Sequence, residues 1–160
     1  MTKLIIRPAN VDDVEQIMQF VIDLAIYEKE PDAVQATPSD LKQALFCDKP
    51  QAYCLIAELD GTSIGFALYF YSFSTWLGKH GIYLEDLYVS PEYRGVGAGK
   101  ALLQELAKTA VAKNLGRVEW SVLDWNEPAI NFYKAMGAQA MDEWTVHRLS
   151  GDALTRFAKT

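Results

Sequence analysis

Tyr93-Arg94-Gly95-Val96-Gly97-Ala98-Gly99-Lys100 packs three glycines into five positions, directly behind an apolar run from Ile82 to Val89. Beyond it a helical pattern begins, with Leu102, Leu103, Leu106 and Ala110 on one stripe. The context is therefore strand, glycine-rich turn, helix start. Without Cβ atoms in the way, the turn's backbone N–H groups converge. The helix N-terminus adds about half a positive charge and up to four donors without partners inside the helix. Such an arrangement seats a phosphate or pyrophosphate; the plain alternative is an ordinary glycine-rich turn.

Two familiar phosphate motifs do not fit. A P-loop requires Gly-Lys-Ser/Thr, and here Ala101 follows Lys100, leaving no hydroxyl for magnesium. A dinucleotide fingerprint is Gly-x-Gly-x-x-Gly in an early βαβ unit. This chain instead has Arg-Gly-x-Gly-x-Gly, late in the sequence.

The bulk numbers narrow the class. The chain has 160 residues, 50% hydrophobic and 22% charged, which suits one compact domain over 1–160. A net charge of -6 disfavours nucleic acid as a partner and suits a cationic substrate. The apolar run Leu4-Ile5-Ile6 is too short for a signal peptide, and no run reaches membrane-spanning length. Cys47 and Cys54 lack a second Cys/His cluster for zinc, so no metal is expected. Both read as small apolar residues of a reducing compartment, which points to the cytoplasm.

Along the chain, Lys3 to Arg7 reads as a strand. Asn10 caps a helix carrying Val14, Ile17, Met18, Val21 and Leu24, and Thr37-Pro38-Ser39-Asp40 opens a second. Ala52–Leu59 and Ser63–Phe73 are strands joined by the hairpin signal Asp60-Gly61. The strand Ile82–Val89, the glycine loop and a helix to Lys113 follow. Then come a strand from Arg117 to Leu123, a helix capped by Asn126, a last strand from Gln139 to Leu149 and a short helix from Gly151. The order β-α-α-β-β-β-α-β-α-β predicts an α/β (α+β) domain with a mixed central sheet flanked by helices.

Arg94-Gly95-Val96-Gly97-Ala98-Gly99 after a strand resembles the acetyl-CoA pyrophosphate loop of the GNAT superfamily of N-acetyltransferases, and the element order is the same over the whole chain. Tyr83-Leu84-Glu85-Asp86-Leu87-Tyr88-Val89, Leu123-Asp124-Trp125-Asn126-Glu127-Pro128 and Ile130-Asn131-Phe132-Tyr133-Lys134 are similar to the spermidine/spermine (diamine) N-acetyltransferase branch. Tyr27-Glu28 and Trp76-Leu77-Gly78-Lys79 add to that likeness. Within the branch, Val122-Leu123-Asp124-Trp125-Asn126 and Pro91-Glu92-Tyr93-Arg94-Gly95 resemble the thialysine N-acetyltransferase members.

The resemblance implies acetyl transfer from acetyl-CoA to a small primary amine. Alkylamines near pKa 10 are protonated at neutral pH, so a base must remove a proton. The branch places its substrate-contacting glutamate at Glu85. Neighbouring strand residues point to opposite faces, so Glu85 and Asp86 are not read as a paired carboxylate. Asp86 reads either as a structural residue or as an acceptor contact. Thioester polarisation falls to main-chain N–H groups of Leu87, Tyr88 and Val89, which also hold the pantetheine arm. Arg94, Gly95, Val96, Gly97, Ala98, Gly99 and Lys100 hold the pyrophosphate, with Asn126, Glu127, Pro128, Ala129 and Tyr133 against the remainder of the cofactor. Tyr133 falls on the family's catalytic tyrosine, and a phenol near 10 can protonate a thiolate whose acid lies near 8.5. From spacing alone it would be a core aromatic.

The acceptor site is drawn from Tyr27, Glu28, Trp76, Glu85, Asp86, Glu119, Trp120 and Ser121, since aromatics with carboxylates suit an ammonium. The chain departs from the branch at Asp142-Glu143-Trp144-Thr145-Val146-His147-Arg148, displaced by one residue and ending His-Arg. Arg148 would suit an acceptor with its own carboxylate, which favours a lysine-like amino acid or short diamine over a long polyamine. The branch also implies a homodimer. The rival readings are a GNAT enzyme for a protein N-terminus, lysine or amine toxin, and a non-catalytic acyl-CoA sensor.

Overall fold

The sheet has five strands in the order β1-β2-β3-β4-β5: β1 (Leu4–Pro8), β2 (Tyr53–Leu59), β3 (Thr62–Ser74), β4 (Lys79–Val89) and β5 (Val118–Trp120). The first three pairings are antiparallel and β4–β5 is parallel. Five α-helices accompany them among the described residues of this computed structural model, which are 2–159: α1 (Val14–Tyr27), α2 (Pro38–Leu45), α3 (Ala98–Ala112), α4 (Glu127–Ala135) and α5 (Gly151–Ala158). The chain divides after Ser121 into two compact units. The first carries the whole sheet with α1 to α3, and the second carries α4 and α5.

Local chemistry sets most of these boundaries. The Asn10 side chain accepts from the Asp12 amide at 2.9 Å, while Asp13 accepts from the Asn10 amide at 2.7 Å. This capping box opens a 3-10 turn that runs into α1. Thr37 and Asp40 make the same reciprocal pair at α2, at 3.2 and 2.9 Å. Each cap contributes about 1 kcal/mol. Between β2 and β3, Asp60 adopts φ 51°, the left-handed form that a tight Asp-Gly hairpin demands.

Packing does the rest. Ile17, Phe20 and Leu24 of α1 and Leu45 of α2 bury against Cys54, Ile56, Phe66 and Tyr88. Full burial of such side chains contributes about 1.5–3 kcal/mol each. On the opposite face α3 lays down Leu102, Leu103, Leu106 and Ala110. Just past its end, Lys113 donates to the Tyr71 hydroxyl at 2.9 Å. The Arg7 fork grips both Asp13 oxygens at 2.7 and 2.9 Å and also bonds Glu58, tying β1 to the start of α1 and to β2. That grip holds the Asp13 carboxyl below the usual carboxylate range. Burial pushes the Cys54 thiol up to about 12, so it behaves as an inert apolar group.

Two expectations are corrected. The strand read at Gln139–Leu149 is absent: 138–150 form no regular structure, and a turn closes as the Trp144 amide donates to the Met141 carbonyl at 3.2 Å. An extended segment becomes a strand only by pairing with an edge, and its own unit offers none among the described residues. For the same reason the strand read as Arg117–Leu123 contracts to Val118–Trp120, where β4 supplies partners.

At Gly65 the β3–β4 contact leaves no room for a side chain. An added Cβ would lie 2.5 Å from the Tyr88 carbonyl oxygen and 3.2 Å from Val89 Cα. Gly65→Ala is therefore expected to lower stability by about 1–3 kcal/mol in urea unfolding, and an unchanged midpoint would refute this account of the contact.

Candidate active site

The register of β3 and β4 contains one irregularity, and it falls on the site. Leu68 pairs with Asp86 and Tyr69 with Leu84, which leaves Glu85 opposite no residue. Glu85 is thus the extra residue of a β-bulge, a device that bends a strand and re-aims its side chains. Phe66 pairs with Tyr88 and Phe70 with Tyr83, so Tyr83, Asp86 and Tyr88 share the face covered by α1 and α2. Tyr83 and Asp86 are three residues apart on one face, so the bulge interrupts strict two-residue alternation. Alternation breaks between Leu84 and Asp86, so it does not by itself decide which face Glu85 takes.

Asp86 is largely withdrawn from water. Burial, then the charges of Glu85 and Glu28, push its carboxyl up to about 6. Glu28, directly after α1, is raised by burial as well. Glu85 itself is exposed. Three carboxylates therefore converge where α1 ends and β4 bulges. Beside them the Arg94 guanidinium lies over the Tyr27 ring, 5.4 Å from its centroid.

The same bulge coincides with the parting of β4 and β5. Pairing between them runs only from Ile82–Val118 to Leu84–Trp120. Beyond that point, the Ser90 amide donates back to Ile64 on β3 at 2.8 Å. Amides alternate sides along a strand, so Val89 and Leu87 turn theirs away from β3, toward the side where β5 has ended.

At the end of β4, a 3-10 turn over Pro91–Tyr93 leads into the glycine loop. Gly95 and Gly97 hold φ 93° and 86°, and a Cβ on either would project into open space. The helical ladder of α3 starts when the Ala101 amide donates to Gly97 at 2.9 Å. The amides of Ala98, Gly99 and Lys100 precede that ladder and form the helix's outward-facing N-terminus. These groups fit acetyl-CoA: main-chain donors and a helix N-terminus for its pyrophosphate, and a strand edge with outward amides for its amide-bearing arm.

The remaining residues divide plainly. Tyr83 and Ser121 share a hydrogen bond of 2.9 Å between their hydroxyls, setting Ser121 on the α1 face. Glu119, paired with Tyr83 in register, lies on that face too, but its carboxylate is held by Arg117 at 3.0 Å. Trp120 pairs with Leu84 and points to the other face. Trp76 lies in the β3–β4 turn, 85% exposed. The six strand positions from Lys79 to Glu85 put that turn about 20 Å from the carboxylates, so this chain does not bring its own Trp76 to them. In the second unit, the Asn126 side chain caps α4 through the Ala129 amide at 3.4 Å, with Glu127 and Pro128 in the first turn. Tyr133 lies on α4 with its ring centroid 5.6 Å from that of Phe132. Sequence reasoning missed the bulge, which has no residue signature, and the Tyr83–Ser121 and Arg94–Tyr27 contacts. Each of these links positions distant in the chain.

Comparison with known proteins gives the arrangement its context. The profile described as the acetyltransferase (GNAT) family matches residues 20–138. The thialysine N-epsilon-acetyltransferase of Bos taurus is 37% identical over 169 residues, covering 99% of this chain and 99% of that protein. The L-ornithine N5-acetyltransferase of Arabidopsis thaliana is 50% identical over 95 residues, 59% of this chain and 42% of its own. A solved integron cassette protein from the mobile metagenome of V. cholerae aligns with a TM-score of 0.81 at 28% identity, over 98% of each chain. A parted strand pair, an arginine-glycine loop at a helix start and a full-length relative of the same kind lead to one assignment: the chain belongs to the GNAT family of N-acetyltransferases.

Proposed function

We propose that this enzyme acetylates the primary amine of a small cationic acceptor by direct attack on acetyl-CoA, both units acting together as one acetyltransferase domain. The acceptor class is a lysine-like amino acid such as thialysine, or a diamine or polyamine. The observation that carries the reading is the end of β4–β5 pairing at Leu84, with the carboxylates of Glu28, Glu85 and Asp86 on one side and the glycine loop at the strand's end. Two relatives are named for thialysine and ornithine, each an amino acid with a terminal amine, which favours an acceptor carrying its own carboxylate. The protein is proposed to work as a homodimer in the cytoplasm.

Bound acetyl-CoA supplies the acyl group as a thioester. The chain's own residues do the rest. One outward amide of β4, at Leu87 or Val89, holds the acyl oxygen as charge develops on it, an effect worth about 3 kcal/mol of barrier, and the other holds the amide-bearing arm. Glu85, directly or through water, removes the ammonium proton so that a lone pair can attack. Glu28 and Asp86 draw the cation in, and the Tyr27 ring offers it a π face. Tyr133 returns a proton to the leaving sulfur. Asn126, with Glu127, Pro128 and Ala129, lies along the cofactor.

An acyl-CoA sensor would need the glycine loop but neither Glu85 nor Tyr133. Thiol release from acetyl-CoA, followed across amines, amino acids and peptides, separates the readings. Thialysine or a diamine is expected to drive release, and acceptor-independent silence across the panel would favour a sensor.

Tyr133→Phe is expected to lower turnover by ~10²-fold or more while CoA affinity in calorimetry stays within about twofold, and near-normal turnover would remove it as the acid. Glu85→Gln should likewise lose turnover.

Asp86 gives a prediction for stability. Its folded value of about 6 lies above the unfolded value near 3.9, so ionisation destabilises the fold. The penalty is absent below about pH 4 and complete above about pH 6. Asp86→Asn should therefore raise unfolding stability by about 2 kcal/mol at pH 7.5 and change it little at pH 4. An equal effect at both values would contradict the assignment.

A further inference from the structure

We propose that Arg117, immediately before β5, binds the acceptor's own carboxylate and so makes the enzyme select an α-amino acid over a diamine of equal length. This rests on the acetyl-transfer reading above and adds to it the residue that sets the acceptor class.

Placement on the sheet is the first reason. Glu119 pairs with Tyr83 in register, and the Ser121 hydroxyl meets that of Tyr83 at 2.9 Å. Strand alternation sets Arg117, Glu119 and Ser121 in one row, on the face that carries Tyr83 and Asp86. The bond of 3.0 Å from Arg117 Nε to Glu119 agrees with that placement. Gly81 makes room for the long side chain. A Cβ there would lie 2.9 Å from the Arg117 carbonyl oxygen and 3.5 Å from its Cγ, so the arginine stem lies against this glycine.

The second reason is the chemistry of the row. Among the described residues only Glu119 bonds the Arg117 guanidinium, and it uses Nε alone, which leaves the terminal N–H donors for another acceptor. Arg117 and Ser121 are exposed while Tyr83 and Glu119 are half-buried, so a small molecule can reach the row. A carboxylate meets a planar guanidinium fork with two parallel hydrogen bonds. Glu119 beside it suits an α-ammonium. Together the two side chains complement a zwitterion in both signs.

Length is the third reason. Tyr83 and Asp86 are three positions apart, about 10 Å of strand. Thialysine spans about 8 Å from carboxylate carbon to terminal nitrogen, at about 1.3 Å of advance per bond. A head group at Arg117 and Glu119 therefore leaves the terminal amine beside Asp86, on the way to the outward amides of β4. A diamine of equal length can meet Glu119 and Asp86 but brings no anion to Arg117.

The test compares thialysine with the diamine left when its carboxylate is removed, by thiol release from acetyl-CoA. The parent should favour thialysine about tenfold or more in kcat/KM. Arg117→Gln should raise KM for thialysine about tenfold with kcat within about twofold, while kcat/KM for the diamine does not fall. Arg117→Lys keeps the charge without the fork and should recover part of the preference. An exposed ion pair contributes little to folding, so these variants should fold.

A folded Arg117→Gln variant, judged by circular dichroism, that keeps the parent's preference would overturn the proposal and return the carboxylate to Arg148. Should that variant not fold, the parent decides alone: equal use of thialysine and its uncharged primary carboxamide would also overturn it. Thiol release with no member of the amine panel would instead remove the acetyl-transfer reading on which the proposal stands.

Discussion

β4 lies between two neighbours whose demands differ. On one side β3 pairs with it along nearly its whole length; on the other, β5 keeps step only from Ile82 to Leu84. The extra residue, Glu85, falls at the point where β5 lets go. One backbone irregularity therefore does two things: it changes which side chains share a face, and it coincides with the end of β5 pairing, beyond which the amides of Leu87 and Val89 point away from β3 toward the side β5 has left. A buried amide without a partner costs about 1–3 kcal/mol, so amides left outside a ladder have strong reason to meet a ligand.

Charge is sorted around that point. The carboxylates of Glu28 and Glu85 act on Asp86, and burial with their repulsion raises Asp86 to about 6. At the strand's end the glycine loop offers main-chain donors and the positive end of α3. The edge of β4 thus lies between a face bearing carboxylates and a loop of main-chain donors. Arg94, on the loop just before Gly95, lies over the Tyr27 ring at the end of α1.

Much of this was legible beforehand because it is local. Asn10 with Asp13 and Thr37 with Asp40 satisfy helix-start amides within three residues, and Asp60-Gly61 has the backbone freedom its hairpin needs. The Arg-Gly-x-Gly-x-Gly spacing reads correctly as a turn into a helix start, for similar reasons. Legibility failed where the outcome depended on a partner distant in sequence. The extended-looking 139–149 segment forms no strand, having no pairing edge within its own unit. Trp76 belongs to the family-like stretch and yet sits at the end of the hairpin remote from the carboxylates.

The sequence by itself determined the α/β class, the helix caps, the hairpin and the glycine-rich turn into α3, because each rests on interactions spanning a few residues. Only the tertiary structure decided that Glu85 bulges, that β5 ends at Trp120, that Asp86 is withdrawn from water and that Arg94 leans on Tyr27. Strand register is a negotiation between segments far apart in the chain, and burial is a property of what packs over a residue. Neither is written in the residue's own neighbourhood.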